Sequence, residues 1–469
     1  MVNLYIQNMY SSNLNFHFTG IGGVGMASIA QVLLSLGFQV SGSDLRYNDL
    51  CRRLESLGAH IYKGHSCENL ATDASLVVYS SAVPMSNPEM VEARKRGIPV
   101  VRRAEVLAEL MRLKFGVAVG GSHGKTTTTS MVGHVLEYAK LDPTIIIGGE
   151  LKGVTEGGGR VGESEYLVAE SDESDKSFLL LHPSVAVVTN IDNEHMSAYA
   201  SQTELLSSFE SFVSSVPFYG LAVMCADCPK TKEIAQRLTR RVLTYGFHPD
   251  SELRIDNVSF HQLSVEGDVY LRGDFLGRVQ VPQPGRHTIS NALATIAVAL
   301  EFEVPFETIA KALLNFPGVK RRLEVVGDAC GIKVMSDYGH HPTEIKATLA
   351  ALKADSFDGR VLVVFQPHRY SRTRECFTEF ISSFHDADIL ALTQIYAAGE
   401  EPIEGVDVET LFNAIEHSDK ELIKDLSSIP QWVKQNAKAG DIVICMGAGS
   451  IGALPQEIVD LYPQIKEVA

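Results

Sequence analysis

The sequence predicts an α/β chain in three parts, the middle one carrying an added β-rich segment. Three observations predict it. Short β-branched runs alternate with helical patterns almost throughout, which is the signature of parallel sheets flanked by helices. At 469 residues the chain exceeds what one hydrophobic core holds. Two glycine-rich turns, at 20–25 and 120–126, each join an apolar strand to a helix.

The elements follow in order. Residues 16–101 read as one unit with strands near 16–19, 38–42, 76–79 and 98–101, and helices between them. RRAEVLAELMR (102–112) is a helical connector, and FGVAVGG (115–121) begins a new sheet. That sheet continues at 143–148, 165–169 and 184–189, a β-rich stretch occupies 252–281, and a helix runs from 287 to about 300. KRRLEVVG near 320 opens the third part, with strands VLVVF (361–365), ILALT (389–393) and DIVICM (441–446). The domains are accordingly set at 1–103, 104–317 and 318–469.

Composition narrows the partners. A formal net charge of −16 disfavours nucleic acid and anionic membranes, so positive charge for a phosphorylated ligand must be placed locally. MVNLYIQNMYSSN has no basic region and no signal-like apolar run, and nothing reaches the ~18 apolar residues of a spanning helix. Of seven cysteines only Cys225 and Cys228 form a C-x-x-C pair, with no second pair to complete a zinc site. Scattered reduced thiols in a cytoplasmic protein are the reading.

The first turn, FHFTGIGGVGMAS (16–28), fits G-x-G-x-x-G at Gly20, Gly22 and Gly25, and Asp44 ends the next strand where a ribose-binding acid would sit. Alone it suggests a nicotinamide-dependent oxidoreductase. MGAGSIG (446–452) fits the same pattern, yet the chain ends too soon for a following strand and acid. Two matches in one chain show that the pattern specifies only a backbone able to approach a diphosphate at a helix N-terminus.

The second turn is more specific. VAVGGSHGKTTTTSMVGHVL (117–136) is a strand, a glycine turn and a helix opening on Lys and four Thr. Backbone N–H groups of such a loop face phosphate oxygens, Lys125 reaches the β- and γ-phosphates, and the Thr126 hydroxyl suits Mg²⁺. The strict nucleotide-loop pattern wants Gly at 119, where this chain has Val. An ordinary capped helix would not explain four consecutive Thr, which are poor interior helix formers. Downstream, YLVAESDESD (166–175) places Glu170 to hold or orient Mg²⁺, and the later acids read as solvated loop residues. AVVTNIDNEHMSAY (186–199) brings Asn190, Asp192, Glu194 and His195 off another strand end, with a structural and a functional His195 about equally supported by the residues alone.

GIGGVGMASIA, GSHGKTTTTSM, AESDESDKSFL, TNIDNEHMSAY, PGRHTISNALA, FPGVKRRLE, DYGHHPTEI and FQPHRYSRTR occur in this order. Together they resemble the Mur ligases of peptidoglycan synthesis, in their alanine-adding branch, over residues 14 to 455. The resemblance implies a Rossmann-like N-terminal domain for a UDP-sugar, a central P-loop ATPase-like domain, and a Rossmann-like C-terminal domain for an amino acid. The implied reaction is ATP-dependent amide formation between the lactyl carboxylate of UDP-N-acetylmuramate and L-alanine, in a cytoplasmic bacterial enzyme that is a monomer or homodimer. ATP and Mg²⁺ are implied as cofactors, with Mn²⁺ able to stand in.

The resemblance also implies site residues. Gly20, Gly22, Gly23, Gly25, Asp44, Ser80 and Ser81 surround the UDP-sugar. ATP falls to Gly121, Ser122, His123, Gly124, Lys125, Thr126 and Thr127, with His287, Asn291, Arg321 or Arg322, and Asp337. Thr126, Glu170 and His195 hold metal, and Tyr338, His340, Arg369 and Arg372 take the amino acid, two arginines suiting its α-carboxylate. Lys125, His195 and His340 are the catalytic candidates, His340 as the group that helps deprotonate the amine. Thr288 stands where the family usually has Asn, which removes an amide's paired donor and acceptor. No lysine lies between His195 and Lys230, so the carbamylated lysine of several sister ligases is absent from its segment.

The nearest rival is the recycling ligase that attaches an intact tripeptide to the same UDP-sugar, and only the C-terminal third discriminates. An oxidoreductase leaves GKTTTT unused, and a regulatory GTPase would want N-K-x-D where this chain has TNID (189–192).

Overall fold

The computed structural model describes residues 14–80, 82–153, 158–193, 198–353 and 358–462. Two expected site residues, Ser81 and His195, lie outside the described residues. The chain divides into two compact units: residues 1–257, 267–279 and 290–317, and residues 258–266, 280–289 and 318–469.

In the first unit, one parallel sheet is built from β1 (Asn15–Thr19), β2 (Gln39–Asp44), β3 (His60–Lys63), β4 (Leu76–Tyr79) and β5 (Val100–Arg102), in the order β3-β2-β1-β4-β5. Helices α1 (Val24–Ser35), α2 (Pro88–Lys95) and α3 (Arg103–Arg112) belong with it. The order reverses between β1 and β4, and the carboxyl edge at such a switch point is where ligands settle in open α/β sheets.

The second sheet gathers β6 (Phe115–Gly120), β7 (Thr144–Ile146), β8 (Gly159–Arg160), β9 (Tyr166–Glu170), β10 (Val185–Val188), β11 (Leu221–Cys225), β12 (Val242–Gly246), β13 (Leu253–His261), β14 (Ser264–Leu271) and β15 (Asp274–Val281). Its order is β15-β14-β13-β12-β11-β10-β6-β9-β7-β8. Helix α4 (Lys125–Tyr138) follows β6, and α5 (Arg286–Glu301) follows the β-rich hairpins. One apolar core runs through both sheets of this unit, from Phe16 and Phe18 to Phe178, Phe209 and Phe212. The Phe178 ring meets the last two at 5.1 and 5.2 Å.

The second unit holds β16 (Glu324–Ala329), β17 (Ile332–Asp337), β18 (Val361–Phe365), β19 (Ile389–Leu392), β20 (Lys420–Leu422) and β21 (Ile442–Met446), ordered β16-β17-β21-β18-β19-β20. Only β16 pairs antiparallel. Helices α6 (Pro342–Leu352) and α7 (Tyr370–Glu375) carry the residues that matter for the site.

Differences from the sequence reading have physical causes. β11 and β12 were not expected: LAVMC has a single β-branched residue, and its strand identity comes from parallel pairing with β10, Val185 opposite Leu221. The edge strands β3 and β20 are four and three residues long, too short to show a period. No helix among the described residues is long and apolar enough to cross a membrane.

Beneath the first turn lies a buried acid. Glu89 is 0% exposed, and its oxygens accept from Thr19 Oγ1 (2.9 Å), Ser43 Oγ (2.6 Å) and Asn69 Nδ2 (2.8 Å). Burial alone would raise its carboxyl, but hydrogen bonds from His17, Ser43 and Asn69 outweigh burial and hold it at about 2. The depressed value makes a stability contribution that is whole above the unfolded glutamate pKa and is lost as pH falls from there towards 2. Its size is about 3 kcal/mol. Thermal melts across pH 5 to 2 should therefore show a shallower acid loss for Glu89→Gln than for the wild type; parallel curves would remove this contribution.

Candidate active site

The first glycine turn is held from below. The Gly20 and Ile21 amides donate to Ser43 O at 2.8 and 3.0 Å, and Gly20 takes φ +84°. The Gly22 amide donates to Asp44 Oδ2 at 2.9 Å, and a Cβ at Gly22 would lie 3.0 Å from that oxygen. Asp44 thus caps the turn itself rather than standing apart from it. Gly23 is the N-cap of α1 with no side-chain cap, leaving that helix end to backbone groups. Arg103, which sequence reasoning missed, packs its guanidinium on Gly25, 3.2 Å from where a Cβ would sit. Ser80 follows β4 at the same carboxyl edge and accepts from the Ala82 amide at 3.3 Å.

The second turn joins β6 to α4. Gly121 (φ +129°) and Gly124 (φ +82°) adopt backbone that side chains resist. Lys125 Nζ donates to Gly121 O (2.6 Å) and Ser122 O (3.0 Å) and pairs with Glu173 at 2.9 Å. The expectation that the acids after Glu170 are solvated is corrected here: Glu173 is 1% exposed. Burial pushes its carboxyl up to about 7, against the opposing pull of Lys125 and with Asp172 adding to the rise. For Lys125, burial works against the charge, but Glu173 and Glu170 more than compensate and its pKa is raised.

Thr126 Oγ1 stands 3.0 Å from both Glu170 oxygens, whose Oε2 also accepts from the Gly148 amide at 2.7 Å. The helix also satisfies two of the hydroxyls that follow. Thr129 and Ser130 are buried and turn their hydroxyls onto the Lys125 and Thr126 carbonyls at 2.8 and 2.7 Å, so the helix absorbs them. Thr127 is half-buried. The strand end at 189–192 clamps the loop: the His123 amide donates to Asn190 Oδ1 (2.9 Å), the Asp192 amide to Ser122 Oγ (2.8 Å), and His123 Nε2 meets Asp192 at 3.2 Å. Asn291 reaches the same turn, its Oδ1 2.7 Å from where a Gly124 Cβ would be. A Cβ at Gly121 would lie 2.1 Å from Thr189 Oγ1. Gly121→Ala should therefore displace the 189–192 clamp, weakening nucleotide binding and costing about 1–3 kcal/mol of stability. Unchanged nucleotide affinity and melting temperature would contradict this.

In the second unit, Tyr338 carries the Arg321 and Arg322 guanidiniums over its ring, at 4.9 and 5.1 Å. The two arginines divide their work. Arg321 donates to the carbonyls of Gly447 and Gly449, so the second G-x-G-x-x-G match holds a guanidinium with its carbonyls. Arg322 sits 3.4 Å from Glu344. Asp337 is buried and accepts from the Leu323 (2.8 Å) and Gly339 (2.7 Å) amides, fixing the arginine turn to the strand end; burial raises its carboxyl. His287 is held down to about 4 by burial, with Arg322 adding. Thr288 donates to Pro284 O at 2.7 Å, the carbonyl four residues back, just ahead of α5.

His340 Nδ1 lies 2.9 Å from Tyr338 O and its ring meets His368 edge-on at 5.7 Å. His368 stacks on Tyr396 at 5.7 Å and 12°, and Arg372 Nη1 is 3.0 Å from His368 Nδ1. Arg369 adopts φ +68° and its guanidinium reaches Glu400 only at 4.0 Å. His340 and Arg372 thus both meet His368, with the Tyr338 ring against His340 at 5.4 Å; sequence reasoning did not single out His368, although FQPHRYSRTR contains it.

Three family models match in succession: the Mur ligase family catalytic domain over residues 15–115, the Mur ligase middle domain over 119–299, and the Mur ligase glutamate ligase domain over 321–449. A UDP-N-acetylmuramate–L-alanine ligase of Geobacter sp. (strain M21) is 50% identical, covering 94% of this chain and 96% of that protein. The chain belongs to the Mur ligase family. A second such ligase, from Myxococcus xanthus, is 48% identical over 95% of this chain and 94% of its own length. Among solved structures, the UDP-N-acetylmuramate–alanine ligase of Thermotoga maritima matches with TM-score 0.81 at 27% identity, covering 96% of this chain and 99% of that one. A murein peptide ligase from Psychrobacter arcticus shares the fold with TM-score 0.69 at 24% identity, over 96% and 98% of the two chains. The three-domain α/β architecture of this Mur ligase is therefore that of the family, and ATP dependence comes with it.

Proposed function

We propose that this Mur ligase joins L-alanine to the lactyl carboxylate of UDP-N-acetylmuramate at the expense of ATP, in peptidoglycan precursor synthesis. The observation that carries the reading is the near-full-length 50% identity to a ligase of that name, which extends through the C-terminal third where the tripeptide-adding rival must differ.

A carboxylate is a poor acyl donor at neutral pH. Its oxygen attacks the γ-phosphorus, ADP leaves, and an acyl phosphate forms. The alanine amine then attacks the acyl carbon, inorganic phosphate leaves, and one proton is released. Such phosphoryl transfer needs positioning and charge neutralisation more than covalent help. Lys125, drawn into the loop by two carbonyls and Glu173, supplies a fixed positive charge there. The Thr126 hydroxyl and Glu170 carboxylate, 3.0 Å apart, are hard oxygen donors that would fit one Mg²⁺, and a second metal is assigned to His195, which lies outside the described residues. When bound, the ion spreads the charge of the transferring phosphoryl group.

The UDP-sugar is assigned to the first turn, whose amides and α1 N-terminus suit its diphosphate, with Arg103 beside it. Arg322, His287 and Asp337 remain assigned to the nucleotide, and Tyr338, His340, Arg369 and Arg372 to the amino acid. His340 is reassigned in role. Burial, eased only in part by Glu344 and reinforced by Arg372, holds it at about 3, so it is neutral and a weak proton sink. With Nδ1–H on Tyr338 O, its Nε2 is an acceptor that orients an amine N–H. The acyl phosphate is tested by labelling the lactyl carboxylate with ¹⁸O. One label should appear in the phosphate released; unlabelled phosphate would overturn the mechanism.

A further inference from the structure

Glu89 is fully buried, charged, and unused by the chemistry above. It opens α2, where Asn87 Oδ1 accepts from the Glu89 amide at 2.9 Å, and its carboxylate accepts from three separate segments of the chain. Thr19 comes from the end of β1, Ser43 from β2, and Asn69 with the Ser66 amide (3.4 Å) from the segment after β3. His17 Nε2 lies 3.3 Å away, on β1. Of these elements, β1 leads into the first glycine turn and β2 receives its amides.

Two connections lead from Glu89 to that turn. Through Ser43, the carboxylate fixes the residue whose carbonyl receives the Gly20 and Ile21 amides. The second runs to His65. Ser43 Oγ donates its only proton to Glu89 at 2.6 Å, so at 2.8 Å from His65 Nδ1 it can only accept. His65 must then carry its proton on Nδ1. In the singly protonated ring its Nε2, which has no hydrogen bond among the described residues, is then a lone-pair acceptor on a side chain 13% exposed.

We propose that Glu89 is a positioning residue of the nucleotide-sugar site: through Ser43 it anchors the glycine turn and sets the His65 tautomer, so that His65 Nε2 accepts from an O–H or N–H donor of the bound nucleoside. This rests on the UDP-sugar occupying the first turn. Glutamine at 89 reverses the chain. Its NH₂ donates to Ser43 Oγ, the Ser43 proton turns to His65 Nδ1, and His65 becomes a donor at Nε2, facing a donor.

The test uses the full-length enzyme with ¹⁵N-labelled histidine and UDP-N-acetylmuramate as ligand. Wild-type His65 should carry its proton on Nδ1 and a lone pair on Nε2, and its Nε2 resonance should shift on adding the ligand. A wild-type Nε2–H tautomer overturns the proposal whether or not any variant folds. Glu89→Gln, checked for folding by its melt, should invert the tautomer and weaken UDP-sugar binding on the order of tenfold, with the KM for ATP and alanine and kcat at saturation unchanged. His65→Ala should weaken binding similarly, and the two effects should not add. Gly23→Asp separates the two readings, because its Cβ has ordinary room 3.6 Å from Gly20 O and its charge opposes a diphosphate. If Gly23→Asp weakens UDP-sugar binding while Glu89→Gln and His65→Ala do not, the positioning role alone fails. If all three bind as the wild type does, the site assignment fails with it.

Discussion

Lys125→Ala is expected to lower phosphate release by about 10³-fold or more while leaving UDP-sugar affinity within about twofold. The lysine is bonded into the second turn, at 2.6 and 3.0 Å from the Gly121 and Ser122 carbonyls. Removing one member of a buried pair ordinarily costs ~3–5 kcal/mol because the other charge is stranded. Here the loss should be smaller. Burial already lifts Glu173 to about 7, and without Lys125 it protonates at neutral pH. A folded variant that retains ligase activity would remove Lys125 from phosphate chemistry, and its UDP-sugar titration shows whether the first turn is untouched.

Arg372→Ala is expected to raise the KM for alanine by about 10²-fold, with UDP-sugar affinity unchanged. Its guanidinium is held 3.0 Å from His368 Nδ1, and His368 is braced by Tyr396. A planar fork so oriented suits an α-carboxylate. Burial, with Arg372 and then Arg369 assisting, keeps His368 down at about 4. Losing Arg372 therefore also lets that ring move towards its ordinary value. An unchanged alanine KM would take Arg372 out of the amino-acid site. Arg369 is the weaker choice, since its guanidinium approaches Glu400 only at 4.0 Å and is half exposed.

What was legible in the sequence was what lies close together along the chain. Lys125, Thr126 and the glycines around them are fixed by one strand–turn–helix, and Glu170 ends a strand paired directly with β6. That Asp44 ends a strand was legible, but its carboxylate's engagement of the Gly22 amide, 22 positions away, was not. Glu173 looked solvated because DESD is an acid-rich run; its burial depends on packing that no local pattern encodes. Arg103 could have been suspected from the RR pair opening the helical connector, but not its contact with Gly25. MGAGSIG matches the diphosphate pattern without that role being read from it, and its carbonyls hold Arg321, a contact the pattern does not encode.

The most direct test of the assigned reaction is phosphate release with ATP, Mg²⁺ and UDP-N-acetylmuramate against alanine, glycine, serine and the cell-wall tripeptide. Alanine should drive stoichiometric ADP and phosphate formation, glycine and serine should trail it by the ~1–3 kcal/mol that a methyl-sized pocket provides, and the tripeptide should be inert. Turnover driven by the tripeptide and not by alanine would contradict the account.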